Sequence, residues 1–327
     1  MTGFGTTSAG AQVDAVEISS PGLFARILTF GAALQDVRFA GKDHPLTLGS
    51  PDIAAYEGPF LSFGTVMGPL VNRVRNAQAP LDGAMLSWPA NIAGGHLLHS
   101  GPGVQSRVWQ VENQTAQSVL LGLRLDHMED GLPGVRHLTA RYSIAATCLR
   151  LEIRMETDRP SLASLANHSY WSLDPTPGFE GQKLQVAAEE YTVLDAALVA
   201  TGALAPVSGT DFDFRAPRTL TQADQLDINL CTANAPKALR PVAWLQGRSG
   251  LRMEMASTAP GLQVYDGKSI EGTYPGHGGV PYAARAGLAL EAQHWPDAAN
   301  NPGFPSIRIT PDTPFEQVTE WRFEDTC

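Results

Sequence analysis

The sequence predicts an all-β protein, built as one large antiparallel β-sandwich. Three observations carry this. Apolar and polar residues alternate through many short segments, among them VDAVEIS, LTARYSIAATCLRLEIRMET and PFEQVTEWRFED. A period of two is the signature of a strand with one face on a core. The chain also holds 32 glycines and 24 prolines, which favour frequent turns over long helices. Finally, the best helical candidate is only the short stretch TLTQADQL. No period of 20 to 50 residues suggests a solenoid or propeller. With 327 residues, 43% of them hydrophobic, the chain can bury a large core, and the expectation is a single domain over residues 1–327.

The elements follow in order. The first forty residues read as two or three strands broken at Pro21-Gly22 and Gly31. GTVMGPLVNRVRNA lacks a helical period and reads as a structured loop carrying Asn72, Arg73 and Arg75. APLDGAMLSWPAN is a hairpin with its turn at Asp82-Gly83. A glycine-rich loop holding His96 and His99 leads into RVWQVEN. Strands dominate from Ser118 to Thr157, and NHSYWSLD ends a further apolar strand. The second half continues in the same style and ends in closing strands. At the centre of the stretch GLALEAQHWPDAANNPGFPS, Glu291 is a lone carboxylate inside an otherwise apolar run. There Leu288 and Leu290 face a core, and Glu291 shares the other face with Ala289 and Gln293. The turn formers after it predict an ordered cover.

Composition excludes several classes. A net charge of −10 argues against a nucleic-acid surface. No apolar run approaches a membrane span, and the N-terminus lacks a basic region followed by an apolar one. Cys148, Cys231 and Cys327 are too few and too scattered for a disulfide framework or metal knuckle. The expected location is the cytoplasm. No GxSxG, GxxxxGK[ST] or GxGxxG motif is placed for catalysis or nucleotide binding.

The residues that could carry chemistry each have a bland account beside the functional one. Glu291 is a catalytic base at a strand end, or a buried structural carboxylate. His168, in NHSYW, has polar neighbours to orient its ring, and Trp171 offers an aromatic face suited to the C–H surface of a sugar; the alternative is a satisfied core histidine. His96 and His99 lack the further acidic or cysteine ligands of a metal site, and one of the two could face a substrate. Arg73 could pair with a substrate oxygen or be an exposed charge. Asp227, in QLDINL, could accept hydroxyls or serve a turn. Gln263 faces opposite to Leu262 and Val264, toward a ligand or toward solvent.

Taken together, these segments resemble the aldose 1-epimerase family. The likeness runs from about residue 14 to 323 and rests on seven motifs in order: GTVMGPLVNRVRNA, LLHSG with RVW, DGLPG, NHSYWSL, TGALAPVSGTDFDFR, GLQVYDG and LEAQHWPDAANNPGFPS. The resemblance implies a β-supersandwich and interconversion of the α- and β-anomers of a free monosaccharide, without cofactor or metal. It matches Glu291 to the general base, His168 to the general acid and His99, not His96, to the second active-site histidine. Arg73, Asn72, Asp227, Gln263 and Trp171 are then the expected sugar-binding residues. The protein would be a monomer or homodimer. The sequence departs from the family pattern at Pro69, Ser100, Trp171 with Ser172, and Ile228, near the expected pocket.

Three other readings compete with this one. A hexose-6-phosphate 1-epimerase would need further cations at the pocket mouth, where only Arg75 is evident. A sugar-binding module without turnover has no need of an acid–base pair. A glycoside hydrolase or lyase on a similar sandwich is the third; hydrolysis would call for two positioned carboxylates, and the sequence nominates only Glu291.

Overall fold

A computed structural model describes residues 1–326; Cys327 lies outside the described residues. Three antiparallel sheets dominate. The largest has nine strands, in the order Gln110–Gln114, Ser118–Leu125, Arg136–Ala145, Cys148–Thr157, Phe315–Asp325, Leu251–Ser257, Arg240–Gln246, Lys183–Val186 and Arg218–Thr219. The second has six, in the order Tyr170–Trp171, Leu288–Gln293, Gly261–Tyr265, Asp227–Cys231, Glu190–Leu194 and Ala200–Pro206. A four-stranded sheet runs from Thr2–Thr6 to Leu34–Phe39 in chain order. The last long strand, Phe315–Asp325, inserts between Cys148–Thr157 and Leu251–Ser257, and so ties early and late parts of the chain together.

The alternation seen in the sequence is realised as faces. Along Arg136–Ala145, buried residues alternate with less buried ones, and Leu138, Ala140, Tyr142 and Ile144 enter the core. That core also takes Leu262, Val264, Leu288 and Leu290 from the six-stranded sheet and Ile18, Ala25 and Ile27 from the four-stranded one. The apolar faces of all three sheets thus meet, as layer packing requires.

The Leu288–Gln293 strand is different: all six of its residues are buried. One face lies on the core, and loops cover the other. Those loops include Gly64–Thr65, which fixes His168 through two backbone hydrogen bonds. Gly64 has φ +74°, and a Cβ there would stand 2.2 Å from the Leu34 carbonyl oxygen. Only glycine fits this approach.

Local predictions fared as their chemistry suggests. The hairpin at Asp82-Gly83 forms, both residues having positive φ as a type I′ turn demands. The TLTQADQL stretch is not helical. Asp224 instead accepts hydrogen bonds from the Thr221 amide and hydroxyl and pairs with Arg218, closing a turn that competes with helix. Among the described residues, the one α-helical turn is Ile53–Tyr56, capped by Asp52. Among the described residues, no helix is long and apolar enough to cross a membrane.

Candidate active site

The register of the six-stranded sheet gathers the polar side chains. Asn229 stands opposite Gln263, and Gln263 opposite Glu291. One row along, Asp227 stands opposite Tyr265, Tyr265 opposite Ala289, and Ala289 opposite Tyr170. Residues opposite one another share a face, so these seven side chains lie on one side of the sheet. In front of them is a cleft of about 340 Å³, lined among others by Asn72, Arg73, His99, His168, Asp227, Gln263 and Glu291. That volume is at the small end for ligand sites, which run from about 300 to 1,000 Å³.

Two loop devices bring in the remaining groups. The short ladder of Arg73–Val74 with Leu97–Leu98 sets Asn72 beside His99. The His99 amide donates to the Asn72 carbonyl at 3.0 Å, and the Asn72 amide donates to His99 Nδ1 at 3.2 Å. Since Nδ1 accepts, the neutral ring carries its proton on Nε2 and can donate it into the cleft. Burial and the neighbouring His168 and Arg73 hold His99 well below the ordinary histidine pKa, so the neutral form persists. Asn72, His99 and Ser100 all adopt left-handed backbone conformations. Such non-glycine strain is common where a site is over-determined by its surroundings.

His168 and Glu291 face each other, with Nε2 3.4 Å from Oε1. They are only 5% and 2% exposed. Burial lowers the His168 pKa to about 4 and raises that of Glu291 well above the ordinary value. Asp227 reinforces the upward shift of Glu291, and Arg73 opposes it. The histidine is therefore not poised near 6.5, as its ordinary value would suggest. The pair holds one proton between these two values. At 3.4 Å it is longer than a formed N–H···O bond, which leaves each group free to engage a ligand.

A second cluster fixes the cleft wall. Asp227 accepts from Gln263 Nε2 at 2.8 Å and from an Arg73 guanidinium nitrogen at 3.3 Å. Tyr170 packs its ring 5.0 Å from that of His168, and burial keeps its phenol protonated.

Seven of the eight residues expected at a site line this cleft. Trp171 does not. It stands opposite Leu288 on the reverse face, fully buried against Trp321 and Phe323. Its neighbour Tyr170 takes the cleft position. Ile228 likewise faces the core, opposite Val264. Ser100 is used structurally, its hydroxyl accepting the Leu70 amide at 2.7 Å. His96 lies outside the cleft, accepting the Asn76 amide on Nδ1. Arg75 is turned toward Asp195, Asp297 and the Ala200 carbonyl and supplies no charge to the cleft. Residues that sequence reasoning missed are Ser62, Leu98, Tyr170, Leu198, Tyr265, Lys268 and Ser269. Two were legible by period two: Tyr265 lies two positions beyond Gln263, and Tyr170 two beyond His168.

Comparison with known proteins agrees with this architecture. The aldose 1-epimerase family profile matches residues 14–322. The chain is 29% identical to galactose mutarotase of Rattus norvegicus, over 97% of this chain and 95% of that one. It is also 29% identical to aldose 1-epimerase of Escherichia coli, over 93% of each. The crystal structure of an aldose epimerase homologue from C. elegans superposes with a TM-score of 0.89 at 29% identity, covering 96% of this chain and all of that one. Galactose 1-epimerase from Lactobacillus acidophilus has the same fold, with a TM-score of 0.84 at 23% identity. With the profile spanning almost the whole sequence and the fold shared throughout, the chain belongs to the aldose 1-epimerase family.

Proposed function

We propose that this protein interconverts the α- and β-anomers of a free aldose in the cleft before Glu291, with Glu291 as general base and His168 as general acid. The observation that carries the reading is the buried Glu291–His168 pair, with Nε2 3.4 Å from Oε1, facing the cleft. A protonated glutamic acid with neutral histidine and a carboxylate with imidazolium hold the same number of protons. In the second form Glu291 removes the proton of the C1 hydroxyl, and His168 delivers one to the ring oxygen. The C1–O5 bond breaks as the C1 carbonyl forms. Rotation about C1–C2 presents the other aldehyde face, and closure returns both protons. The groups end as they began, so no net proton is consumed. In the reverse direction the two roles exchange.

The surrounding groups act on charge and position. The Nε2–H of His99 is placed to donate to an oxygen that gains charge during opening. Arg73, Asp227 and Gln263 already bond to one another, so sugar hydroxyls meet a preorganised wall. Asn72 supports that wall by fixing His99. Exchange NMR or polarimetry of freshly dissolved α-anomers of glucose, galactose, xylose and arabinose tests the reading. Acceleration over buffer supports it, and none with any of these sugars overturns it.

A further inference from the structure

We infer that Leu198 is a substrate-binding residue, its isobutyl group covering C–H groups of the bound sugar, and that Arg75 positions it. The inference rests on the epimerase reading and adds an apolar contact to it. Among the described residues, six large apolar side chains are exposed, and Leu198 is the one of them that lines the cleft. It also has a left-handed backbone, with φ +59°. Leucine gains nothing from that conformation, and glycine or asparagine would hold the turn with less strain. A strained backbone that presents an exposed apolar side chain to a cleft is poorly explained by stability. Such strain persists where the surroundings over-determine it, and it clusters at ligand sites.

The turn around Leu198 is held on every side. The Asp195 amide donates to the Val199 carbonyl and the Leu198 amide to the Asp195 carbonyl, both at 2.9 Å. Asp195 Oδ1 accepts the amides of Ala197 at 2.9 Å and Val199 at 3.0 Å. Arg75 then clasps both ends of the turn, donating to the Asp195 carboxylate at 3.1 Å and to the Ala200 carbonyl at 2.9 Å. Its own backbone is fixed, since the Arg75 amide donates to Asp297 Oδ1 at 3.0 Å and the Asp297 side chain is fully buried. Three segments distant in sequence thus hold one leucine. The register places it. The strand before the turn, Glu190–Leu194, runs antiparallel to Asp227–Cys231, with Tyr191 opposite Leu230. Its end therefore runs toward Asp227, and the turn stands on the Asp227 side of the cleft. Tyr170 stands on the other side, on the first strand of the sheet, whereas Glu190–Leu194 is the fifth. A pyranose over Glu291 and Gln263 lies between these walls. The sheet offers its hydroxyls polar partners, and Leu198 offers its C–H groups an apolar one. Covering both surfaces removes apolar area from water.

Exchange NMR with the intact protein, on whichever of glucose, galactose, xylose and arabinose it turns over fastest, gives kcat and KM, and thermal unfolding gives stability. In Leu198→Asn we expect KM to rise about five- to tenfold, with the loss lying in KM rather than kcat. The melting temperature should hold or rise, because asparagine accepts the left-handed backbone. Leu198→Met keeps an apolar side chain and should hold KM within about twofold of wild type. Arg75→Gln should raise KM on its own and add less than about twofold to Leu198→Asn, since both act through one side chain. A KM unmoved in Leu198→Asn overturns the proposal, and a fall in melting temperature beside it makes the leucine structural. A rise in Leu198→Met equal to that in Leu198→Asn overturns the apolar contact. Additive effects of the two substitutions overturn the role of Arg75. Absence of acceleration by the wild-type protein with every sugar overturns the epimerase reading as well, and is told apart by that uniform failure.

Discussion

The nine-stranded and six-stranded sheets are written in the same alternating code, yet their polar faces meet opposite fates. On the nine-stranded sheet the polar face is wet. Arg150 bonds Glu320 at 2.7 Å and Glu152 at 3.0 Å, and Arg154 pairs with Glu156 on its own strand and with Glu316 on the neighbouring one. On the six-stranded sheet the equivalent face is roofed. Asn229, Gln263 and Glu291 are nearly inaccessible, and both amide atoms of Asn229 and one carboxylate oxygen of Glu291 lack a hydrogen-bond partner. A fold built only for stability would satisfy such groups or replace them. Arg–Glu ladders mark a solvent face. Isolated acids and amides, unpaired and buried, mark a face kept for a ligand.

The sharpest way to break this contrast is to neutralise one carboxylate on each face. We expect Glu291→Gln to lower kcat by about 10²–10⁴, the range for loss of a positioned base. His168→Asn should fall in the same range. Stability should move the other way in Glu291→Gln. The folded pKa of Glu291 lies above its unfolded value, so the folded state binds more protons in that window. Its contribution to stability is therefore fully present below the unfolded value near 4.5 and is lost as pH rises toward the folded one. The melting-temperature advantage of Glu291→Gln should widen over that same rise. Wild-type kcat/KM should be bell-shaped, falling below pH about 4 as His168 takes a second proton and falling again above the raised Glu291 value. A basic limb that survives in Glu291→Gln would assign that limb to another group.

How far the sequence could be read follows from the same contrast. Glu291, Gln263 and Asp227 were accessible because each is a polar residue between apolar ones, and period two assigns the face. The same rule, applied from His168, selects Tyr170 and rejects Trp171; the attraction of an indole for sugar outweighed it and misplaced the aromatic wall. His99 could not be separated from His96 by local pattern. Both accept a loop amide on Nδ1, and only the offset of the Arg73–Val74 ladder decides which ring enters the cleft. Lys268 sits in a turn with no period to follow. The burial that shifts His168 and Glu291 comes from loops such as Gly64–Thr65, distant in sequence, and no local pattern encodes it.

The two histidines therefore give a second, smaller test. His99→Asn retains a residue that tolerates left-handed backbone and loses the Nε2 donor. We expect kcat to fall about 10²-fold, as when one donor to a charged oxygen is removed. His96→Asn should leave kcat within about twofold and lower stability by about 1 kcal/mol, because the Asn76 amide loses its acceptor. Steady-state rates with chemical denaturation of both variants separate the two roles. Equal losses of kcat would place both rings in the site.

Trp171 tests the core side of the roofed sheet. Its ring centroid lies 5.5 Å from that of Trp321 and 5.8 Å from that of Phe323. Trp171→Phe should cost about 1–3 kcal/mol through lost packing, with KM for the sugar within about twofold of wild type. A raised KM with unchanged stability would return the indole to the binding wall.

The smallest effect belongs to the wet face. Arg154 is half exposed, as are both glutamates it pairs with. Water and salt screen such pairs, and fixing three long side chains costs entropy that offsets the attraction. Arg154→Gln should shift the melting temperature by less than about 1 °C and leave kcat/KM unchanged. Glu316→Gln should behave alike. If either variant altered turnover as strongly as His99→Asn, the two polar faces would not be functionally distinct. The buried, unpaired character of the Glu291 face would then lose its value as the mark of the site.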